Sequence, residues 1–249
     1  MLTEERYQLI LRILDDRNAV TVAELSQQLN ISESTIRRDL NALAEMGKLK
    51  KVFGGATALQ QSSGVYETNV ANRACSMSEE KTAIARYAAT LISDDDFVFI
   101  DAGTTTLRLI DFLSNNKATY VTNGITHGQK LIQKGLEAFI IGGRIKPLTE
   151  AVIGASGVKS LQGLNFTKAF MGTNGIDLTA GFTTPDIEEA RLKETAVNNS
   201  YRTFVVADHT KFRQVCAVTF APLKVGSIIT DICPDNKFCE KTIVKEVNK

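Results

Sequence analysis

The stretch that decides the fold of the N-terminal part is Ser32-Glu33-Ser34-Thr35-Ile36-Arg37-Arg38-Asp39-Leu40. Ser32 is a favourable N-cap residue, and Ile31 stands where a hydrophobic staple with Ile36 fixes the start of a helix. Winding residues 33–46 at about 100° per residue gathers the apolar side chains into one stripe. This stripe consists of Ile36, Leu40 and Leu43. The sequence therefore predicts an amphipathic helix whose outer face is polar and basic.

The outer face of this helix has groups that suit nucleic acid. Ser34, Arg38 and Asn41 lie opposite the apolar stripe, and Thr35 and Arg37 flank them. Hydroxyl, amide and guanidinium groups bind phosphates or base edges, and a single helix fits the major groove of DNA. On these residues alone, a recognition helix and an ordinary solvated helix are both open.

Two helices are predicted before this one. Apolar residues recur at helical spacing over residues 3–16, and Thr21-Val22-Ala23-Glu24 is a capping box that starts a second helix, which ends at Asn30. Two short helices joined by a tight turn, the second with an exposed polar face, form a helix-turn-helix. This context favours the recognition helix.

A basic hairpin is predicted directly after the recognition helix. Met46-Gly47 ends the helix, and residues 48–56 alternate basic and apolar side chains before a Gly-Gly turn. Residues 34–56 carry five basic against two acidic side chains, although residues 1–56 are balanced at eight of each. The hairpin is interpreted as a wing that lies on DNA, and its lysines can also protect an exposed strand edge.

The predicted DNA contacts come from the recognition helix, the wing and the start of the second helix. We expect Ser34, Thr35 and Arg38 to determine sequence preference and Arg37 mainly to determine affinity. The full set is Thr21, Ser32, Ser34, Thr35, Arg37, Arg38, Asn41, Lys48, Lys50, Lys51, Gly54 and Gly55.

Length and composition set the outer bounds. The 249 residues suit two domains, 43% of them are apolar and 23% charged, and the net charge of +1 confines any nucleic-acid contact to a local patch. The apolar runs are short and no basic leader precedes one, so we expect a cytoplasmic protein without a membrane span. Four scattered cysteines and two histidines argue against a disulfide framework and a zinc site, and we expect no metal and no cofactor.

The fold class predicted for the rest of the chain is α/β. Residues 1–57 form the DNA-binding domain, residues 58–77 a linker, and residues 78–249 a larger domain whose first helix is capped by Ser78. Short apolar runs, predicted as strands buried on both faces, then alternate with helix-length segments. The strands are expected at 97–100, 120–121, 139–141, 169–171, 204–207 and 228–229, with helices at 105–113, 124–134 and 186–198. The pattern predicts a mainly parallel sheet.

Five polar turns follow these strands, at residues 101–106, 122–124, 142–144, 172–177 and 207–211. The carboxyl ends of parallel strands share one sheet edge, so the turns predict a ligand crevice, although each one also fits turn chemistry alone. Gly103 and the threonines after it stand at a helix N-terminus, which favours a phosphate. Because neither Gly-x-x-x-x-Gly-Lys-[Ser/Thr] nor Gly-x-Gly-x-x-Gly is present, a small phosphorylated metabolite is the expected ligand.

The predicted ligand contacts include a cation and several hydrogen-bonding groups. Lys211 is the candidate cation for the phosphate, or else a surface lysine, and Asp101, Asn123 and Asp208 are candidates for sugar hydroxyls. The full set is Asp101, Gly103, Thr104, Thr105, Thr106, Thr122, Asn123, Gly142, Gly143, Gly172, Asn174, Asp177, Asp208 and Lys211.

Motifs in both halves together resemble the DeoR-type bacterial transcription repressors. The resemblance is carried by Thr35-Ile36-Arg37-Arg38-Asp39-Leu40, Gly54-Gly55-Ala56, Asp101-Ala102-Gly103-Thr104-Thr105, Phe170-x-Gly172-x-Asn174-Gly175-Ile176-Asp177 and Ala207-Asp208-x-x-Lys211. It implies a winged helix-turn-helix followed by an effector domain similar in fold to ribose-5-phosphate isomerase. The Gly-Thr-Thr turn would hold the effector phosphate, and Asp208 and Lys211 would close the site. Phe53 departs from the family, which usually has histidine there.

The resemblance also implies partners and a subgroup. Segment 181–190 with Gly142-Gly143 is most similar to the branch that controls fructose utilisation operons, for which fructose 1-phosphate is the expected effector. The partners implied are operator DNA, a phosphorylated sugar and further copies of the chain. A single winged helix contacts few base pairs, which favours a dimer or tetramer.

A sugar-phosphate isomerase with an accessory domain is the alternative function. Groups suited to proton transfer stand near the turns: Asp177, Glu189, Lys193 and Lys211. An isomerase has no use for an arginine-faced helix and a basic wing, so we expect a regulator without catalytic residues.

Overall fold

The computed structural model describes residues 3–17, 19–57, 76–114 and 117–247. The chain divides into two units, Met1–Ser62 and Ser63–Lys249. Most of the expected linker, residues 58–75, lies outside the described residues, so the domain boundaries given above stay predictions.

The described part of the N-terminal unit has three helices and a small antiparallel sheet in which the third strand lies between the first two. In chain order its elements are α1 (Thr3–Arg17), β1 (Ala19–Thr21), α2 (Val22–Leu29), α3 (Glu33–Glu45), β2 (Lys50–Val52) and β3 (Gly55–Thr57). The predicted stripe of α3 is buried with Leu25 of α2 and Ile10 of α1. The helices and the wing therefore share one apolar core.

The ends of α2 and α3 are fixed by local hydrogen bonds. The Glu24 backbone N–H donates to Thr21 Oγ1 at 3.2 Å, and the Thr21 N–H donates to Glu24 Oε2 at 2.8 Å, which completes the predicted capping box. Asn30 adopts a left-handed φ of 54° where α2 ends. Ser32 Oγ accepts the Thr35 N–H at 3.4 Å at the start of α3.

An ion pair joins α1 to the buried side of α3. Asp39 is 2% exposed, and its carboxylate accepts from Arg6 Nε at 2.5 Å and Nη2 at 2.9 Å. Two parallel hydrogen bonds fix the relative orientation of the two groups as well as neutralising the buried charge. This pair holds α3 against α1.

The second unit contains a seven-stranded parallel sheet with strand order β15-β14-β12-β9-β4-β5-β6. The strands are β4 (Phe97–Ile100), β5 (Thr119–Thr122), β6 (Glu137–Ile140), β9 (Phe166–Met171), β12 (Ser200–Val206), β14 (Ser227–Thr230) and β15 (Val244–Glu246). The helices are α4 (Ser78–Ala89), α5 (Thr104–Asp111), α6 (Ile125–Gln133), α7 (Ala155–Leu161) and α8 (Ile187–Asn198). The predicted parallel α/β sheet is confirmed.

Both faces of this sheet are covered. In β4, Phe99 packs into a core with Phe166 and Leu192, whereas Val98 packs into another core with residues of α4 and α5. Successive strand residues point to opposite faces, so this division places an apolar core on each side of the sheet.

Two small antiparallel sheets accompany the large one and were not predicted. One is the hairpin of β7 (Arg144–Lys146) and β8 (Ala151–Ile153). The other joins β10 (Gly175–Asp177), β11 (Gly181–Thr184) and β13 (Val218–Ala221). Their three- and four-residue strands are too short for a clear alternation of apolar and polar residues.

Two details of the sequence prediction were wrong. Ser78 does not cap α4, because Met77 is the N-cap with a left-handed φ of 50°, and Ser78 Oγ instead accepts from Arg108 Nη2 at 2.9 Å. The strand at 139–141 is not buried on both faces, since β6 is the sheet edge and Phe139 and Ile140 are about half exposed.

Among the described residues, no helix is both long and apolar enough to cross a membrane. Cys216, Cys233 and Cys239 are free thiols, and Cys75 lies outside the described ranges. Within those ranges, no three His, Cys, Asp or Glu side chains are grouped so that they could hold a metal ion.

His127 of α6 supports the turn between β4 and α5. Its Nε2 lies 3.3 Å from the Gly103 nitrogen, 3.1 Å from the Gly103 carbonyl oxygen and 3.2 Å from Thr106 Oγ1. Burial lowers the pKa of His127 from 6.5 to about 4. The imidazole is therefore neutral in the folded protein at neutral pH.

This burial predicts a pH-dependent stability. The unfolded chain binds a proton on His127 below pH 6.5 that the folded chain binds only near pH 4, so the stabilisation is complete above 6.5 and is lost as the pH falls toward 4. Between pH 6.5 and 5, we expect the free energy of unfolding to fall by about 1.5 kcal/mol through this residue. Urea unfolding of the full chain, followed by circular dichroism, measures the change. His127→Gln should lose this slope and the control His209→Gln should keep it; equal slopes in both would contradict the assignment.

Candidate functional site

The outer face of α3 presents the polar groups that the sequence predicted there. Ser34, Arg38 and Asn41 are all exposed. At the start of the helix, Ser32 Oγ lies 3.0 Å from Ser34 Oγ and 2.9 Å from Thr35 Oγ1. This group of hydroxyls stands at the positive end of the helix dipole, where it suits a phosphate or a base edge.

The cations of this surface differ in whether they already have a partner. Arg38, Lys48 and Lys50 are exposed and have no ion-pair partner within the described part of the N-terminal unit. Arg37 pairs with Glu33 at 2.9 Å, and Lys51 Nζ donates to Asn41 Oδ1 at 2.5 Å. Arg38, Lys48 and Lys50 can therefore bind phosphates without breaking an existing ion pair.

The other predicted contacts shape the surface. Gly54 has a left-handed φ of 82°, and a Cβ on Gly55 would lie 2.1 Å from the Val20 carbonyl oxygen. Only glycine fits these two positions of the wing turn. Thr21 uses its hydroxyl to cap α2.

A separate cleft lies at the carboxyl ends of β4, β9 and β12 in the second unit. Its total empty space, which includes open solvent, is about 600 Å³, and the part that can hold the centre of a water-sized sphere is about 60 Å³. It is lined by Lys81, Asp101, Ala102, Gly103, Thr104, Thr105, Thr149, Gly172, Thr173, Asn174, Glu189, Lys193, Val206, Ala207, Asp208 and Lys211. Eight of the predicted ligand contacts are therefore brought together: Asp101, Gly103, Thr104, Thr105, Gly172, Asn174, Asp208 and Lys211.

The N-terminus of α5 forms one wall of the cleft. Gly103 is its N-cap residue, and no side chain caps the helix. The hydroxyls of Thr104 and Thr105 and the amides at this end face a space that Lys211 also lines. Lys211 is half-buried and has no ion-pair partner within the described part of the second unit. This end of the cleft suits an anion such as a phosphate.

A buried carboxylate lies at the floor of the cleft. Asp101 is 1% exposed, and its Oδ2 accepts the Gly172 N–H at 2.9 Å and a hydrogen bond from Lys193 Nζ. Its Oδ1 is buried without a hydrogen-bond partner in the described structure. An unsatisfied carboxylate oxygen beside a cleft can accept a hydroxyl of a ligand.

A second carboxylate, Glu189 of α8, is held by three donors. Its Oε1 accepts from Lys146 Nζ and from Thr149 Oγ1, both at 3.2 Å, and its Oε2 accepts from Thr184 Oγ1 at 3.3 Å. These bonds link α8 to the β7–β8 hairpin and to β11. Glu189 therefore offers the cleft a rigid, already satisfied polar group.

The turn after β12 is anchored from the neighbouring strand. Asp208 Oδ1 accepts the Thr210 N–H at 3.1 Å, and His209 Nδ1 lies 2.5 Å from Oδ2 of Asp231. Burial favours a raised pKa for Asp231, but hydrogen bonds from the His209 side chain and backbone hold it below its ordinary value. These contacts fix the backbone that carries Lys211.

The remaining predicted contacts do not line the cleft, and three of them support its walls. Asn123 Oδ1 accepts the Ala102 N–H at 2.7 Å, Thr122 Oγ1 donates to the Ile100 carbonyl at 2.6 Å, and Thr106 Oγ1 donates to the Asp101 carbonyl at 2.6 Å. Asp177 accepts two backbone N–H groups of its own turn. The turns after β5 and β6, which include Gly142 and Gly143, do not line the cleft, because these two strands lie at one side of the sheet.

Five polar lining residues are absent from the predicted contacts. They are Lys81, Thr149, Thr173, Glu189 and Lys193. The spacing of Glu189 and Lys193, four residues apart on one helix face, was a usable signal. In the sequence analysis, both are candidates only for proton transfer in the enzyme alternative.

Comparisons with known proteins match both units. Residues 6–62 match the DeoR-like helix-turn-helix domain, and residues 76–232 match the DeoR C terminal sensor domain. The chain is 40% identical over 252 residues to the uncharacterized HTH-type transcriptional regulator FruR of Bacillus subtilis, which covers 99% of both chains. It is 31% identical to the lactose phosphotransferase system repressor of Staphylococcus epidermidis, which covers 91% of each.

Solved structures give a weaker likeness. Ribose 5-phosphate isomerase A of Methanocaldococcus jannaschii aligns with a TM-score of 0.42 and 14% identity over 55% of each chain. The family resemblance drawn from the sequence is confirmed by the domain models and by the full-length relatives. The chain belongs to the DeoR family of transcriptional regulators, which are not enzymes, and it combines a helix-turn-helix domain with a sensor domain.

Proposed function

We propose that this regulator represses a sugar uptake or catabolism operon, with fructose as the sugar, and that a phosphorylated sugar such as fructose 1-phosphate modulates its binding to operator DNA. The observation that carries the proposal is the uncapped N-terminus of α5, which shares one cleft with Lys211 and the unsatisfied oxygen of Asp101. These groups complement the two ends of a sugar phosphate.

The phosphate end is supported by charge and backbone geometry. A phosphate at the start of α5 accepts hydrogen bonds from free amides and gains from the helix dipole, and Lys211 adds a positive charge. The sugar end is supported by carboxylates, since Asp101 and Asp208 accept hydrogen bonds from hydroxyl groups. A neutral sugar would leave the amides at the start of α5 and the Lys211 ammonium without a ligand contact.

The choice of fructose rests on relatives. The chain is similar over its whole length to a regulator named FruR, and a repressor of a lactose phosphotransferase system is also among its relatives. Segment 181–190 resembles the fructose branch. The cleft supports a sugar phosphate, and the relatives narrow the proposed sugar to fructose.

The proposed mechanism is allosteric. A sugar phosphate that binds one conformation of the sensor domain more tightly than another shifts the population toward it, and the spacing of paired DNA-binding domains changes as a result. Pairing requires a dimer or tetramer that faces repeated half-sites. A protein with this role works in the cytoplasm, where the operator is.

Replacing Arg38 tests the DNA surface. We expect Arg38→Ala to weaken binding to the protein's own upstream DNA by about tenfold or more and to reduce its preference over unrelated DNA. Lys50→Ala should weaken both DNAs alike and lower the salt slope by about one. Fluorescence anisotropy at several salt concentrations measures both effects. The control is Arg12→Ala, an exposed arginine on α1. Unchanged operator binding by Arg38→Ala would contradict the recognition surface.

A panel of sugars tests the cleft. We expect fructose 1-phosphate to change operator affinity and unphosphorylated fructose to have no effect, because only the former occupies the anion end. Lys211→Ala should raise the required sugar phosphate concentration at least tenfold, since it removes a charge-assisted contact, and should leave operator binding without effector unchanged. Lys224→Ala, an exposed lysine outside the cleft, is the control. A panel in which no sugar phosphate alters binding would refute the effector half of the proposal.

A further inference from the structure

The tip of the wing carries an aromatic side chain that is fully exposed. Phe53 lies in the turn between β2 and β3, and its relative exposure is 108%, the highest of the large apolar residues described. The neighbouring Val52 is 41% exposed. Because removing apolar surface from water lowers the free energy, this position favours a partner that covers the ring.

The tip is held in place by backbone and side-chain contacts. The Val22 N–H at the start of α2 donates to the Gly54 carbonyl at 2.9 Å, and β3 pairs with both β1 and β2. Lys51 Nζ donates to Asn41 Oδ1 on the outer face of α3. Strand β2, which leads to Phe53, is thus fixed beside the face of α3 that carries Arg38 and the hydroxyls of Ser34 and Thr35.

The charge around the tip selects nucleic acid as the partner. Lys48, Lys50 and Lys51 precede Phe53, and the described wing, residues 48–57, contains no acidic residue. An apolar ring with three nearby cations complements a groove whose walls are phosphates and whose floor is base edges. It does not complement an apolar protein surface, on which the lysines would lose their hydration without compensation.

We propose that Phe53 packs into the minor groove of DNA, beside the major groove that receives α3, and partly unstacks the base step beneath it. Apolar side chains act as wedges in this way in proteins that bind the minor groove. The inference rests on the proposed operator binding. It adds a specificity element, because flexible TA and CA/TG steps unstack more easily than others.

The ring chemistry distinguishes this contact from those of the recognition helix. Phenylalanine neither carries charge nor donates a hydrogen bond, so its contribution to affinity is independent of salt. A histidine at this position, as the resemblance leads one to expect, would form a polar contact instead. Phe53→Ala and Phe53→His therefore separate an apolar wedge from a polar one.

The experiment uses the full chain and an upstream operator duplex with 2-aminopurine at successive steps along the minor groove. We expect wild-type protein to raise 2-aminopurine fluorescence at one step per half-site, as that base unstacks. Phe53→Ala should abolish the rise and weaken operator binding by about tenfold, with the salt slope unchanged. Phe53→His should reduce the rise. The controls are Val52→Ala and Tyr201→Ala, which replace exposed apolar residues at the wing and in the second unit.

The outcomes separate the inference from the proposed function. If wild-type protein does not bind the duplex at all, operator binding fails and the inference fails with it. If wild-type protein binds, but Phe53→Ala gives the same fluorescence pattern and affinity, the inference alone is overturned. A change of molecular mass in sedimentation caused by Phe53→Ala, without a fluorescence change, also overturns it, because the ring then contacts another protein copy.

Discussion

The cleft depends on one buried interaction, the contact of the Asp101 carboxylate with Lys193 and with the Gly172 N–H. Asp101 follows β4, Gly172 follows β9, and Lys193 belongs to α8, so a single charge joins three elements that are far apart in the chain. A carboxylate buried to this degree loses its hydration and needs these donors. The geometry of the cleft is thus set by the requirement to satisfy one charge.

The same physical requirement organises the DNA-binding unit. Asp39 is a polar residue on the buried side of α3, and the bidentate contact with Arg6 compensates its charge. Removing either partner leaves the other charge buried and unpaired. In both units a buried acidic residue is held by a basic partner from another element, and the contact fixes how the two elements lie together.

Features determined by neighbouring residues could be predicted from the sequence. The capping box at Thr21, the cap at Ser32 and the stripe of α3 depend on spacings of three or four residues, and all are present. The turns after β4, β9 and β12 could be placed at one edge, because parallel strands put their carboxyl ends together. The strand order was needed to exclude the turns after β5 and β6, and sequence spacing does not contain it.

Features that depend on distant contacts were missed. Glu189 and Lys193 line the cleft because α8 packs across the sheet, whereas Asn123 does not line it and its Oδ1 accepts the Ala102 N–H. Which side of a turn faces a ligand depends on such bonds between elements. Asp177 does not line the cleft, and its Oδ1 accepts two amides of its own turn.

The strand order has a consequence for the kinetics of folding. In the central pair of the sheet, Val98 of β4 lies opposite Lys168 of β9, so a loop of about seventy residues must close before these strands can pair. Closing such a loop loses chain entropy before the contacts between the strands form, which slows folding relative to units built from local contacts. In the helix-turn-helix unit the pairing of β1 with β3 joins Ala19 to Thr57, about forty residues apart, so the loop to be closed is shorter. A newly made chain therefore acquires its helix-turn-helix before the cleft of the second unit.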